Sequence, residues 1–566
     1  MNNFKENNTS RWHIVSVPKN IHVFCLLWLV TLIIYFPAAK AGWVREAVGW
    51  INDMKNQNFL DFINRAKVTT LQGFYQLYAI HYFVFYKLWG LNVWLWSLLF
   101  ITTHATNAFL LFTLSKRIFT DSGIQKGALI SLCGVLIYAV CPHVSEVVVW
   151  KACAHYMMGF LFILLILLLL QKYQHKQQSK YAWCAAFIFF LSSFSLEIFY
   201  LTPFLSLTLA LYYRLALGYD KAVFRKTILY FCLPQILLFA LYFIALYATY
   251  KYIDPHTTTY SLPLVNYISK PAKYVFHILL FGRYFSMQTK GKVYGLCESV
   301  VFLISFYGIM VTIGIYGLVR LRKLSAESKA MFLLFTWAMM FLGFLLAVDF
   351  PLNLNFYVVC DRYTYFADGI IYILMALIIA RYVNKYVAVL IFIIYASVNL
   401  YFTAKVNTYW KQSTYVDNKL MRDFPDPGDK TVVLLNIPEN MNGIPMMGAQ
   451  PEGEFKVMHN ILAAPPYKNT IYDVASYNML TKDDGAHARV INDSTIDVIL
   501  NQWGTWWWYA GFGAKSYENK DYRLQMNDMG HNYELRLKYP ANKYMVLIQN
   551  GDQWKVVDMN KKNEDQ

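Results

Sequence analysis

About eleven apolar stretches lie between Val23 and Thr403, each close to the ~20 residues that carry a helix across a bilayer, and they leave this chain few folds. Backbone inside hydrocarbon has to satisfy its own hydrogen bonds, so such stretches are helices packed into a bundle. The candidate spans run roughly over 22–37, 93–114, 127–141, 155–171, 181–195, 198–213, 227–249, 298–319, 330–348, 364–380 and 386–403. The chain is 57% hydrophobic and 18% aromatic, more apolar than a soluble domain requires. The expected fold class is mainly α: a polytopic membrane helix bundle with a small C-terminal β-rich (α+β) domain.

The loops between the spans carry charge unevenly. Lys116, Arg117 and Lys126 fall on one side, as do Lys172, Lys176 and Lys180, then Arg214, Lys221, Arg225 and Lys226, then Arg320, Arg322, Lys323 and Lys329, and finally Arg381 and Lys385. The positive-inside rule makes that side cytoplasmic and places the N-terminus there. Ten of the fourteen acidic residues before position 405 then face outward, among them Glu46, Asp53, Asp61, Glu146, Glu197, Glu298, Asp361 and Asp368. A membrane protein that gathers its acids on one face is expected to work there.

The net charge of +17 does not indicate a nucleic-acid binder. Residues 1–404 hold 33 basic and 14 acidic residues, and 405–566 hold 18 and 20, so the excess belongs to membrane loops, where topology and anionic headgroups account for it. The eight cysteines lie in or beside the spans without CxxC or Cys/His spacing, which indicates neither a disulfide framework nor a zinc site. The stretch Val23 to Pro37 lacks a small-residue cleavage site and is expected to be a retained first span.

The expected organisation is a tail at 1–21, a transmembrane domain at 22–403 with a large outer loop at 38–92, a linker at 404–424 and a distal domain at 425–560. Within the loop, Trp43, Ala47, Trp50, Ile51 and Met54 recur at helical spacing, which suggests a helix lying in the interface plane with tryptophans at headgroup depth. Residues 75–89 suggest a second, aromatic helix, or a twelfth span. Beyond 425 the apolar runs shorten to strand length: TVVLLNI, TIDVILNQW, NYELRLKY, YMVLIQN and QWKVVDM. An odd number of spans from a cytoplasmic start places this domain outside.

Several residues are candidates for chemistry, each with a plainer alternative. Glu46 and Asp53 are seven apart and share a helix face; a carboxylate there can serve as general base toward an acceptor hydroxyl, or simply form the solvated side of an amphipathic helix. His143, Glu146 and Glu197 sit at outer span ends, where an ionisable group faces a cavity or anchors the interface. Lys270, Lys273 and Arg283 lie in a basic outer loop suited to a lipid phosphate, or to unspecific headgroup contact. Asp361, Arg362, Tyr363 and Tyr365 form CDRYTYF, in which the arginine can fork onto a phosphate or pair internally with Asp361. The run Trp503 to Gly513 offers indole faces for sugar stacking, a core, or a membrane-seated surface.

Three blocks together resemble the multispan GT-C glycosyltransferases, especially bacterial relatives of the tetratricopeptide-linked transmembrane O-mannosyltransferases. The first runs from Tyr75, Gln76 and Leu77 to His104, Ala105, Asn107 and Ala108, similar to an aromatic juxtamembrane helix leading into a His-Ala-x-Asn-Ala span. The second matches His-Pro-x-x-x-Glu-x-Val-x-Trp through Pro142, Glu146, Val148 and Trp150, with Cys141 in place of the histidine. The third matches Glu-Arg-Tyr-x-Tyr through Arg362, Tyr363 and Tyr365, and Ser195 and Glu197 parallel a Ser-Lys-Glu element. The likeness covers about residues 20–403, and tetratricopeptide repeats are absent.

The resemblance implies a glycosyltransferase of a bacterial inner membrane that moves a sugar from a polyprenyl phosphate or diphosphate carrier to a protein, lipid or glycan acceptor on the periplasmic face, where the distal domain would also lie. Its partners would be the donor, membrane lipids and the acceptor, with no nucleic acid; a divalent metal is optional and no metal ligands are indicated. The family's catalytic acid lies in the first outer loop, often as Asp-Asp. Here the comparable stretch is PAAKAGWVREAVGWIND, so Asp53 and Glu46 are the available carboxylates. His104, His143, Glu146, Glu197, Lys270, Lys273, Arg283, Arg362, Tyr363 and Tyr365 would bind carrier or substrate. A non-catalytic scaffold on the same fold and a lipid or polysaccharide transporter are the alternatives, the latter disfavoured by the lack of an internal repeat.

Overall fold

The structure, a computed structural model, describes residues 20–44, 46–65, 74–250, 264–347, 361–448, 454–462, 467–500, 516–528 and 531–561. Each expected span has a helix. Among the described residues nine helices are long and apolar enough to cross a bilayer, and the bent pair Gly127–Ala139 and Pro142–Val149 makes a tenth if counted as one span. The remaining expected span is Ser179–Ser192, shorter than a crossing requires. Gln76–Trp89 has 14 residues and is too short to be a twelfth.

The bend between the paired helices is 52°. Pro142 has no N–H and cannot continue the helix, so carbonyls that would have been bonded within it are left over. They are taken up across the bundle. Thr403 donates to the carbonyl of Val140 at 2.7 Å and Tyr35 to that of Cys141 at 2.8 Å, which lets a broken helix persist in an apolar setting. The short second leg, Pro142–Val149, is wholly buried at the end of the bundle nearest the distal domain, where Trp410 donates to Ser145 at 3.0 Å.

Small residues set the helix spacing. A Cβ at Gly134 would stand 2.7 Å from the Cα of Ile373 in Tyr365–Tyr382, so these two helices are in near-backbone contact. Gly134→Val should therefore force them apart and cost about 1–3 kcal/mol, seen as a lower unfolding temperature in detergent; an unchanged temperature would show that the contact tolerates bulk.

The first loop folds as Glu46–Asn56, Phe59–Arg65 and Gln76–Trp89. Its tryptophans are not left at the surface as the sequence suggested. Trp43 is 2% exposed and donates to the carbonyl of Leu91 at 3.3 Å, while Trp50 packs edge-on to Phe62 at 5.7 Å and Tyr78 at 5.1 Å. The apolar stripe is covered by protein, because Gln76–Trp89 presents a matching aromatic face.

Most of the segment 404–424, expected as a linker, is helical. It continues Lys385–Arg422, a single helix of 38 residues, about 57 Å long at the usual rise, so it extends well past a hydrocarbon core of about 30 Å. Val406, Trp410, Ser413, Val416, Leu420 and Met421 form its buried stripe, and the distal domain docks on it: Trp554 donates to the carbonyl of Leu420 at 2.8 Å and Lys419 pairs with Asp552 at 2.8 Å.

Each of the five strand-length runs contains a strand. Thr431–Leu434 is flanked in parallel by Tyr544–Asn550 and Ile471–Asp473, with Gln553–Val556 antiparallel at the edge. A second sheet of five antiparallel strands contains Thr495–Ile499 and Asn532–Leu537, whose alternating burial marks one covered face. A three-stranded sheet and the helix Glu454–Leu462, which packs on Glu46–Asn56, complete the domain. The tryptophan run 503–513 lies outside the described residues.

Candidate functional site

Three chain segments meet beneath the distal domain: the leg Pro142–Val149, the helix Leu264–Leu280 with the turn Gly282–Tyr284, and the turn Asp361–Thr364 that opens Tyr365–Tyr382. They bring together two ion pairs. Glu146 accepts from the Arg362 guanidinium at 2.8 Å and from the Arg362 backbone N–H at 2.9 Å. Asp361 accepts from Arg283 Nη1 at 2.5 Å through one oxygen and faces His277 Nε2 at 3.1 Å through the other. Neighbours in sequence, Asp361 and Arg362 thus serve different partners. The Asp361–Arg283 pair is buried and the Glu146–Arg362 pair largely so, with Arg362 14% exposed, so each charge depends on its partner to offset desolvation.

Arg362 is held further by stacking, 5.2 Å from the Trp150 ring and 5.0 Å from Tyr363. Trp150 in turn donates to the carbonyl of Val44 at 3.3 Å, which ties the network to the start of Glu46–Asn56. Glu46 opens that helix, and its side chain lies outside the described residues. Asp53, half-buried, stands seven residues along and accepts from Gln57 at 3.3 Å.

The other expected ligands are distributed differently. His143 is fully buried, stacked on Phe281 and 5.1 Å from the His277 ring. Tyr365 and His104 lie fully buried inside the bundle, sharing a 2.9 Å hydrogen bond, with Asn107 donating to the same hydroxyl at 3.1 Å. Glu197 accepts from Tyr75 and so holds the first loop to the span end. Lys273 donates to Glu298 at 2.5 Å, and the buried Lys270 stands 4.4 Å over the Tyr267 ring.

A cleft of about 360 Å³ opens beside Arg283. Arg283, Lys290 and Lys405 give it a positive lining, Tyr409 and Asn442 add polar groups, and Leu480 of the distal domain closes one side. Burial, helped by the Arg283 charge, pushes Lys290 down to about 7. Lys405 and Tyr409 belong to Lys385–Arg422, whose exposed Val387, Ile394 and Tyr401, spaced seven residues apart, lie on the same side of the helix as Lys405 and run from the cleft along the bundle.

Sequence reasoning missed His277, Lys405 and Tyr409. Lys270, Lys273 and His277 follow at i, i+3 and i+7 on one helix, a spacing that marks a common face. Nothing in the sequence signalled Lys405 and Tyr409, because their part of the chain has the polarity of a linker.

No protein-family model matches the chain, and no curated protein matches it in sequence. Among solved structures it is similar to the archaeal oligosaccharyltransferase AglB from Archaeoglobus fulgidus, in complex with an inhibitory peptide and a dolichol-phosphate, at 11% identity and a TM-score of 0.38 over 73% of this chain and 62% of that one. It is also similar to ArnT from Cupriavidus metallidurans in the apo state, at 9% identity and a TM-score of 0.34 over 80% of this chain and 90% of that one. The chain therefore spans less than two thirds of AglB and most of ArnT.

Proposed function

We propose that the protein is a membrane glycosyltransferase that takes a sugar from a polyprenyl-phosphate-linked donor and passes it to an acceptor on the side of the distal domain, the periplasmic face of a bacterial inner membrane. The observation that carries this reading is the basic cleft beside Arg283. Its three cations suit one or two phosphates, and the exposed apolar face of Lys385–Arg422 gives an isoprenoid tail a path to the bilayer. The acceptor is a hydroxyl of a protein, lipid or glycan, activated by a carboxylate of the first loop, Asp53 or Glu46. Glu146 and Arg362 hold the floor of the site by pairing with each other.

The cleft makes a pH-dependent prediction. A polyprenyl phosphate sugar is a phosphodiester whose charge is constant near neutrality, so any change in its affinity there comes from the protein. Lys290, held down to about 7 by burial, carries its proton below that pH and attracts the phosphate; bound phosphate raises its affinity for the proton. Donor affinity should be highest below pH 7 and fall by up to about tenfold per unit as pH rises into the alkaline range. Lys290→Gln should flatten this slope, and Lys405→Gln should weaken binding while keeping it. Titration of purified protein with a fluorescent polyprenyl phosphate sugar measures both, and full affinity in the double variant would remove the donor from this cleft.

A further inference from the structure

We propose that His143, His277 and Asp361 form a binding site for one divalent transition-metal ion of the zinc class. One ligand atom from each lies within 4.8 Å of the others, and all three side chains are buried. The His277 Nε2 to Asp361 Oδ1 separation is 3.1 Å, close to the edge between two ligands at about 2.1 Å from a shared ion.

The decisive residue is His143. Its side chain is fully buried, yet neither ring nitrogen has a hydrogen-bond partner within the structure. Leaving two such nitrogens unsatisfied in an apolar setting is costly. The hydrogen bond between His277 and Asp361 does nothing for His143, whereas a shared ion takes up one nitrogen of His143 together with the facing atoms of His277 and Asp361. The ligands come from three separate segments, the leg after the Pro142 bend, Leu264–Leu280 and the turn before Tyr365–Tyr382, so the bundle itself fixes their spacing.

The donor set selects the ion. Two imidazoles and one carboxylate favour zinc or a neighbouring transition metal over magnesium or calcium, which prefer oxygen. Arg283 is the like charge that a dication has to tolerate. Asp361 stands between them and offers a different oxygen to each, Oδ2 to Arg283 and Oδ1 toward the histidines, an arrangement in which the outer hydrogen bond orients the ligating carboxylate. Three protein ligands leave a coordination position for water or another oxygen donor. Because Arg283 also lines the basic cleft, the ion would add to the positive field there; that role rests on the donor-binding reading, whereas occupancy of the site does not.

The test uses the tag-free, full-length protein in detergent, stripped with chelator, reloaded with Zn²⁺ or Co²⁺, desalted and counted by mass spectrometry of metals. The expected result is about one ion per chain, and Co²⁺ absorption bands of a low-coordinate nitrogen and oxygen site. The double variant H143Q/H277Q should bind at least about 100-fold more weakly. His81→Gln, at a half-buried histidine among the Phe85 and Trp96 rings outside the cluster, should retain the ion and corrects for unspecific uptake by the chain's 12 histidines. Should the double variant fail to fold, the wild-type protein alone decides: no stoichiometric Zn²⁺ and no Co²⁺ bands would overturn the site, as would equal uptake by the folded double variant. Donor titration of the Lys290 and Lys405 variants is read separately, so loss of one proposal leaves the other standing.

Discussion

Glu146→Ala should remove about 3–5 kcal/mol of stability and leave little folded protein in the membrane. The Glu146 carboxylate is fully buried and receives two hydrogen bonds from Arg362, one from the guanidinium and one from the backbone. Its loss strands a guanidinium that is held by stacking on Trp150 and Tyr363 and has little access to water. The cost lies in the uncompensated charge, so removing both charges should cost far less than removing one. Glu146→Leu combined with Arg362→Met should recover much of the unfolding temperature that either change loses alone. Additive losses in that cycle, measured by thermal unfolding in detergent, would show that the pair contributes by packing only.

Asp53→Asn should lower the turnover rate by about 10²–10⁴-fold, with folding and donor affinity nearly unchanged, since the amide keeps the shape of the carboxylate but cannot take a proton. Glu46→Gln is the matched comparison. The two residues are about 10 Å apart along Glu46–Asn56 at the usual helical rise, so one acceptor hydroxyl cannot be within reach of both. Glu46 lies near the Val44 carbonyl that Trp150 holds, at the edge of the Arg362 network, and Asp53 lies toward the other end of the helix. A large loss in Asp53→Asn with little change in Glu46→Gln places the base at Asp53; the reverse moves it to Glu46. Full activity in both would take the base away from Glu46–Asn56.

Much of the membrane part was legible because the requirement is one-dimensional. A crossing helix has to be apolar over most of its length, whatever it packs against, so all eleven stretches from 22–37 to 386–403 correspond to helices. Strand-length alternation in the distal domain was equally readable, since an exposed and a covered face leave a period of two. Helical spacing in the first loop predicted helices correctly but not what covers them: Trp43 and Trp50 carry the same signal whether lipid or a neighbouring aromatic helix meets their face. The helix past Thr403 was hidden for a related reason. Its stripe of Val406, Trp410, Val416 and Leu420 is sparse, and only the distal domain packed on it makes that stripe buried.

From the sequence alone came the fold class, the spans, the distal strands and the residue types able to hold a phosphate or take a proton. These follow from local composition and periodicity, which each segment carries by itself. The tertiary structure decided the partners: Asp361 with Arg283 instead of its neighbour Arg362, Arg362 with Glu146, and His143 beside His277. A buried charge or imidazole is defined by whatever faces it across the bundle, and that is set by the Pro142 bend and by helix contacts such as Gly134 on Ile373, distances that no spacing within a single segment records.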